Sequence, residues 1–385
     1  MGLTNKPKVV VGMSGGVDSA MAAALLQEAG YDVIGITLQI WEASGLEAEG
    51  GCCANSAIDD ARRVAFILGI PHYIMDFRSY FKETVVDYFT QSYLAGETPN
   101  PCLACNKHIK FGEMLRKARG LGAEYIATGH YAQILRDPNS ERFLLSKGSD
   151  TRKDQTYALY MLTQEQLAHT LFPLAEYRKE EVRKMAVERG LGVGDKPDSQ
   201  EICFIPNHDY VSFIRERSLE LIKPGHFVDL KGNSLGRHQG IIHYTVGQRK
   251  GLGVTFGKPM YVVGLNPDRN EVVLGEDSDV FTDTLWATDL NWISIPYLIE
   301  PLKVEAKIRY NSLGFWATVY PGEIGAEHEV MVRFDEPQRA VTPGQAVVFY
   351  QGNLVVGGGI ISSDPRGRRR SFKSGMLNNP LRFSS

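Results

Sequence analysis

The sequence predicts an α/β protein in three parts. These are an N-terminal parallel-sheet domain, a small and mainly β central domain, and a C-terminal β-barrel. Three observations lead there. An apolar run at 9–11 is followed by a glycine-rich turn, Gly12–Ser19, and then by a helix-forming stretch at 20–26. Up to about residue 130, short apolar runs alternate with segments of helical spacing, the pattern of a parallel sheet covered on both faces. After about residue 208 glycine-rich turns separate short runs, and beyond 285 apolar and polar residues alternate strictly, which is the period of half-buried strands. A chain of 385 residues also exceeds one ordinary core, so several domains are expected.

Taken in order, 33–38 and 72–75 read as short buried strands. Between them Ala61, Val64, Ala65 and Leu68 share one helix face. Helices are expected near 81–94 and 111–119, with a strand at 125–128. Residues 156–190 read as helical, with an amphipathic stretch at 179–189 and Gly190 as its C-cap. Short strands between glycine turns come next, around 232–264. Further on, Val304, Ala306, Ile308 and Tyr310 share one strand face, and Lys303, Glu305, Lys307 and Arg309 the other. Gly352-Asn353 between 347–350 and 354–356 predicts a hairpin. The expected divisions are 1–208, 209–284, 285–365 and a basic tail at 366–385.

Composition is that of an ordinary soluble protein, 43% hydrophobic and 23% charged. The N-terminus has no apolar signal core and no run reaches membrane-spanning length, so a cytoplasmic protein without membrane association is expected. Five cysteines are too few for a disulfide scaffold in a chain this long. The net charge of −3 points to no polyanion partner. It conceals an asymmetry, because Arg366, Arg368, Arg369, Arg370, Lys373 and Arg382 come after Asp364 with no acidic residue, leaving −9 on residues 1–365. Such a tail holds phosphates or is a solvated terminus, and both readings stand.

The glycine-rich turn carries the first chemistry. Between a strand and a helix, backbone N–H groups at the positive end of the helix dipole form an anion site. Gly15 and Gly16 allow close approach of the backbone, and Ser14 and Ser19 add hydroxyl donors. Asp18 reads either as a magnesium ligand or as a carboxylate stabilising a helix start. No Gly-Lys-Ser/Thr is present after the turn, which excludes a Walker A loop, and G-x-G-x-x-G is absent. The run matches SGGxDS and so resembles the PP-loop of enzymes that split ATP into AMP and pyrophosphate, with an adenine nucleotide alpha hydrolase-like fold. Thr128-Gly129-His130 comes after a later strand and falls on the same ligand-binding edge.

The cysteines carry the second. Thr98-Pro99-Asn100-Pro101-Cys102-Leu103-Ala104-Cys105 reads as a proline-stiffened loop holding C-x-x-C, and a third thiol, Cys203, lies in a similar segment at 198–206. Both segments read as exposed loops, which usually carry function rather than packing. A reactive thiolate needs positive charge nearby, and Lys107, His108 and Lys110 are candidates. Cys52 and Cys53 are adjacent, cannot easily bridge each other without strain, and read as structural, before a helix that Asn55 or Ser56 would cap.

Nine segments, in order, resemble the bacterial tRNA-specific 2-thiouridylases (MnmA type) along nearly the whole chain. They are GMSGGVDS at 12–19, TPNPCLACN at 98–106, IKFG at 109–112, ATGHYA at 127–132, KDQTY at 153–157, DSQEICFIP at 198–206, HYTVGQRKGLG at 243–253, IRY at 308–310 and TPGQAVVFY at 342–350. The resemblance implies sulfur transfer to C2 of the wobble uridine in tRNAs for Lys, Glu and Gln. It implies ATP, with Mg2+, at Gly12, Met13, Ser14, Gly15, Gly16, Val17, Asp18 and Ser19, with Leu38 and Gly129 near the adenosine. Adenylation of the uridine O2 would be followed by attack of a persulfide sulfur carried on Cys203. Cys105 would be the nucleophile that releases the sulfur, leaving a Cys105–Cys203 disulfide. The resemblance also places Asn100, Pro101 and Cys102 at the target base, and His130, Lys153, Asp154, Gln155, Arg309, Tyr310 and Gln345 against tRNA. A sulfur-relay protein or a cysteine desulfurase would be the donor.

Cys102 is a departure, because some members of the family carry Asp there, where a carboxylate can serve as general acid or base. Cys102, Cys105 and Cys203 together would alternatively ligate a [4Fe–4S] cluster, and a zinc site with His108 is a weaker alternative. Two rival functions stay open. One is another PP-loop ligase or amidotransferase, which would leave three cysteines idle. The other is a non-catalytic RNA-binding protein with a relic nucleotide loop.

Overall fold

A computed structural model describes residues 6–41, 55–196, 202–205, 209–254, 257–322 and 328–362. The readings of Cys52, Cys53, the Asn55 side chain and the tail at 366–385 fall outside them. The first sheet contains β1 (Lys8–Gly12), β2 (Asp32–Gln39), β3 (His72–Asp76), β4 (Tyr125–Ala127) and β7 (Thr170–Leu171), in the order β3-β2-β1-β4-β7. Every neighbouring pair is parallel. Strand periodicity sorts its side chains to two faces. Val10, Ile34, Ile36 and Ile126 enter one core, while Val9, Val11, Val33 and Ala127 enter another with the helix α1 (Val17–Glu28). The doubly covered sheet expected from the alternating pattern is present.

Some local expectations need correction. β3 is an edge strand and not a buried one, with Tyr73 49% and Ile74 36% exposed. Residues 156–190 are not continuously helical. A 3₁₀ turn at Thr156–Ala158, a short helix at Gln164–Ala168 and strand β7 precede the helix Lys179–Glu188. The C-x-x-C segment is not a loop. Asn100 caps a helix at Pro101–Ala104 by accepting from the Cys102 N–H (3.1 Å), with proline at the first position, where its missing N–H costs nothing. The chain continues through a π-helix, Cys105–Glu113, into the helix Met114–Gly120; widened turns of this kind recur at functional sites.

The central sheet contains β8 (Gly225–Val228), β9 (Ser234–His238), β10 (Tyr261–Asn266) and β11 (Glu271–Gly275), in the order β10-β11-β8-β9. The last part contains β12 (Phe281–Trp292), β13 (Leu302–Lys307), β14 (Phe315–Pro321), β15 (Val330–Arg339), β16 (Ala346–Gln351) and β17 (Leu354–Ile361). They run β12-β15-β14-β13-β16-β17, and pairing of β12 with β17 closes a six-stranded barrel. Val304, Ala306 and Ile308 fill its core as the alternation predicts. Tyr310 does not share that burial, because it lies past the end of β13 and is 38% exposed. The predicted hairpin is present, with Gln351 opposite Leu354.

One connection is not visible in the strand pattern. β5 (Gln133–Arg136) and β6 (Phe143–Ser146) form a hairpin within the N-terminal part of the chain, yet they extend the barrel sheet through Ser146 opposite Leu354. Ala346, Val348, Tyr350 and Val355 accordingly share one core with Val10 and Ile126. The Tyr157 hydroxyl crosses the same boundary and donates to the Ala346 carbonyl (2.8 Å). The barrel is thereby packed onto the first sheet, beside the edge where its strands end.

Candidate active site

Past the carboxyl ends of β1, β2 and β4 lies a cavity of about 200 Å³, where open parallel sheets bind ligands. Gly12, Met13, Ser14, Asp18 and Ser19 line it from the glycine-rich turn, Leu38 and Gly129 from strand ends, and Cys105, His130 and Gln155 from three other segments. Gly15, Gly16 and Val17 are not part of its lining, and the Val17 side chain packs into the core behind. Gly15 has φ +73°, and a Cβ there would collide with the Ala57 carbonyl, so the turn depends on glycine twice over. The Ser19 hydroxyl holds the turn closed, donating to Gly16 O (3.0 Å) and accepting from Ser14 N–H (3.2 Å).

Asp18 is held from outside its own turn. Lys179 Nζ donates to both of its carboxylate oxygens (2.8 and 2.6 Å), and the Tyr131 hydroxyl donates to Oδ1 (2.9 Å). Lys179 is 7% exposed, and its backbone N–H donates to Asp150 (3.0 Å). A second lysine, Lys196, donates to Gly15 O (3.4 Å) and pairs with Asp60. Neither lysine carries a local motif. Lys179 meets Asp18 across 161 positions of chain, so only the folded sheet reveals it.

Two imidazoles stand beside the cavity. Thr37 lines it and donates its hydroxyl proton to Met13 O (2.8 Å), while the same oxygen lies 2.9 Å from His72 Nε2. With the hydroxyl proton already engaged, His72 must donate from Nε2. Burial and the nearby Arg62 hold His72 below the usual imidazole range. His130 Nδ1 lies 2.7 Å from Thr128 Oγ1. Burial, reinforced by Lys110, pushes the His130 imidazole well below its ordinary value, so it is neutral near pH 7. Lys110 also lines the cavity, a positive charge on the wall that holds Cys105.

The thiols are placed unequally. Cys102 is exposed, Cys105 buried at 8% and Cys203 half-buried, all as thiols. The expectation that both cysteine segments stand clear of the core is corrected. Cys105 belongs to a cluster with Phe89, Ile109 and Phe204, and Cys203 packs against its edge. Cys105 and Cys203 therefore border one apolar cluster, and Cys105 also lines the cavity together with the glycine-rich turn. Among the described residues no group of three or more His, Cys, Asp or Glu side chains gathers as a metal site, so the cluster and zinc alternatives have no assembled donor set.

The remaining candidates divide. Gln155 lines the cavity and accepts from Tyr131 N–H (2.9 Å). Tyr310 is raised by burial and by the neighbouring Asp154 and Cys102, and is hydrogen-bonded to Gln155, so the barrel delivers an aromatic ring beside the exposed thiol. Lys153 is exposed, and Asp154 accepts from Thr156 N–H and Oγ1 (3.0 and 2.7 Å). Arg309 donates to Arg339 O (3.1 Å) and to Ala340 O, and Gln345 donates to Thr98 O (2.7 Å). Pro101 is buried, and Asn100 serves as the helix cap. Lys179, Lys196, Thr37 and His72 were missed by sequence reasoning.

Comparison with known proteins matches three family models. They are a tRNA methyl transferase HUP domain over residues 7–207, a tRNA methyl transferase PRC-barrel domain over 212–276, and an aminomethyltransferase beta-barrel domain over 282–361. The chain is 66% identical to a tRNA-specific 2-thiouridylase MnmA of Desulfitobacterium hafniense, covering 94% of this chain and 100% of that protein. Proteins of the same description from Acetivibrio thermocellus and Clostridioides difficile are 58% and 56% identical, over 93% and 92% of this chain and 99% and 98% of theirs. Among solved structures, an NMN synthetase from Francisella tularensis is 16% identical with a TM-score of 0.33, covering 54% of this chain and 73% of that one. That likeness is too slight to bear on activity. Among the described residues no helix is long and apolar enough to cross a membrane.

Proposed function

Because the chain belongs to the family of tRNA-specific 2-thiouridylases, we propose that it uses ATP to replace oxygen by sulfur at C2 of a wobble uridine. The observation that carries this reading is that Cys105 and the glycine-rich turn line one cavity. A carbonyl oxygen is a poor leaving group and AMP a good one. The uridine O2 attacks the α-phosphorus of ATP and pyrophosphate departs toward the loop. The terminal sulfur of a Cys203 persulfide then attacks C2, and AMP leaves. Attack of the Cys105 thiolate on the Cys203 sulfur breaks the S–S bond, releases the 2-thiouridine and forms a Cys105–Cys203 disulfide, which an external thiol reduces. Lys110 lies on the thiol wall, where positive charge favours thiolate. The neutral imidazole of His130 adds no competing charge.

Magnesium enters with ATP as part of the substrate. Asp18, its candidate ligand, has its carboxylate engaged by Lys179 and Tyr131, so it would coordinate the ion only by exchanging partners. Tyr310 suits a single-stranded anticodon base, which can be turned out and stacked at little cost. Lys153 suits a phosphate, and Asn100, Pro101 and Cys102 border the base, with His130, Asp154, Gln155, Arg309 and Gln345 around them. The tRNAs for Lys, Glu and Gln, a persulfide donor such as a relay protein or desulfurase, and the cytoplasm complete the proposal. The family-model descriptions speak of methyl transfer; a loop built to grip phosphates beside thiols supports adenylation and sulfur exchange instead.

The test is an incubation of the protein with unmodified tRNA, MgATP and a persulfide donor, read by nucleoside mass spectrometry. The expected result is one AMP formed for each 2-thiouridine; Cys203→Ala should stop at the adenylate, and Cys105→Ala after a single release of AMP, with the uridine held on Cys203 through the S–S bond. Undiminished 2-thiouridine in both variants, or ADP as the nucleotide product, would overturn the mechanism.

A further inference from the structure

Residues 96–101 are the place where all three parts of the molecule meet, and the meeting centres on Thr98. Its backbone N–H donates to Pro343 O (2.9 Å), and its carbonyl accepts from Gln345 Nε2 (2.7 Å). Both main-chain polar groups of Thr98 are thus satisfied by one barrel turn, 342–345. The Thr98 hydroxyl lies 3.2 Å from the Thr245 hydroxyl of the central part. The barrel turn fits closely here. Gly344 has φ +88°, and a Cβ on it would sit 2.9 Å from Thr98 N and 3.0 Å from Glu97 Cβ.

The chain immediately beyond Thr98 is unusually stiff. Proline fixes φ at 99 and 101, and each residue that precedes a proline, Thr98 and Asn100, is itself restricted. Asn100 then caps the helix through the Cys102 N–H (3.1 Å), and its carbonyl accepts from Leu103 N–H (3.1 Å). A displacement of Thr98 has few soft dihedrals in which to dissipate before it reaches Cys102 and, at the start of the π-helix, Cys105. We propose that Thr98 is a clamp through which the barrel and the central part set the position of the two thiols. Gln345, besides its place near the base, is its positioning residue. Nucleic acid seated against the barrel would act on the thiol helix through this turn. The inference rests on the proposed function only in taking Cys105 as the reacting thiol.

The test uses the full chain without ATP or tRNA. N-ethylmaleimide labelling of Cys105 is measured against labelling of the exposed Cys102 in the same molecule, by peptide mass spectrometry. Gln345→Ala is expected to raise the Cys105-to-Cys102 labelling ratio about fivefold, the equilibrium equivalent of one lost hydrogen bond. Gln345→Glu, which keeps the volume but cannot donate to Thr98 O, should do the same. Thr245→Val should raise the ratio about twofold, and it keeps the test open should the Gln345 variants fold poorly. In turnover with tRNA, the Gln345 variants should lose kcat by a larger factor than KM for tRNA rises. A ratio unchanged in all three variants overturns the clamp, as does a parent-like ratio in Gln345→Glu alone. A raised KM with kcat intact would make Gln345 a tRNA contact alone and also overturn it. Failure of the proposed function shows itself elsewhere, as undiminished thiolation in Cys105→Ala, and leaves the labelling ratio readable.

Discussion

Part of the cavity's wall comes from a single turn, Gly12–Ser19, while another part takes Cys105, His130 and Gln155 from three separate segments. The loop wall closes on itself through the Ser14 and Ser19 bonds and is tied from remote segments by Lys179, Tyr131 and Lys196. The thiol wall is steadied by the barrel, through Gln345 at Thr98 and Tyr157 at Ala346. A site that must grip the same phosphates every time can be written into eight neighbouring residues. A site that must bring sulfur to a macromolecular substrate draws on the parts of the fold that meet that substrate.

Four measurements would break or sharpen this contrast. The largest effect is expected at one of the remote ties of the loop wall. Lys179→Met leaves the Asp18 carboxylate beside incoming phosphates without its cation, and kcat/KM for ATP should fall about 100-fold. Unchanged steady-state kinetics would mean that the turn does not depend on Lys179. Next, His72→Leu removes the donor to Thr37, and isothermal titration with a non-hydrolysable ATP analogue should show about tenfold weaker binding, restored in part by His72→Gln. Equal affinities in all three proteins would detach the β3 edge from the nucleotide.

Smaller still, Tyr157→Phe leaves the Ala346 carbonyl unmatched at the join between barrel and sheet. It should cost about 1 kcal/mol in urea unfolding with little change in slope, and an unchanged midpoint would make the hydroxyl irrelevant to the join. The last effect is a dependence on pH. His72, His108 and His130 are all held below the ordinary imidazole range by burial, so below about pH 6.5 the unfolded chain binds protons that the folded chain refuses. Stability should be full above that value and decline as pH falls through it. Melting curves between pH 7.5 and 5.5 check this, with a shallower decline expected in His130→Asn; melting temperatures flat across the range would contradict it.

The same contrast explains what could be read from sequence. The glycine-rich turn and the alternating strand with Val304, Ala306 and Ile308 are local patterns, and the structure shows the one between a strand and a helix and the other in the barrel core. The C-x-x-C segment misled because proline and asparagine serve both loops and helix starts. Pro101 stands at the first helical position and Asn100 caps it, a use indistinguishable from a turn without the apolar partners. Those partners of Cys105, Phe89 and Phe204 among them, come from remote segments. β3 has the apolar run of a buried strand and loses its burial only because nothing in the described sheet lies beyond it. Lys179 carried no signal at all, since a lysine at a helix start is ordinarily solvated.

The β5–β6 hairpin also imposes a timetable on synthesis. Ser146 waits for Leu354, so more than 200 residues must leave the ribosome between two paired strands. Domains usually complete folding one after another as they emerge. Here the core shared by Val10, Ile126 and Val348 stays incomplete until the closing strands emerge. A nascent chain stalled before β16 would leave the apolar residues that meet Val348 and Tyr350 uncovered, a natural target for a holdase and a point where slowed translation would cost yield of soluble protein.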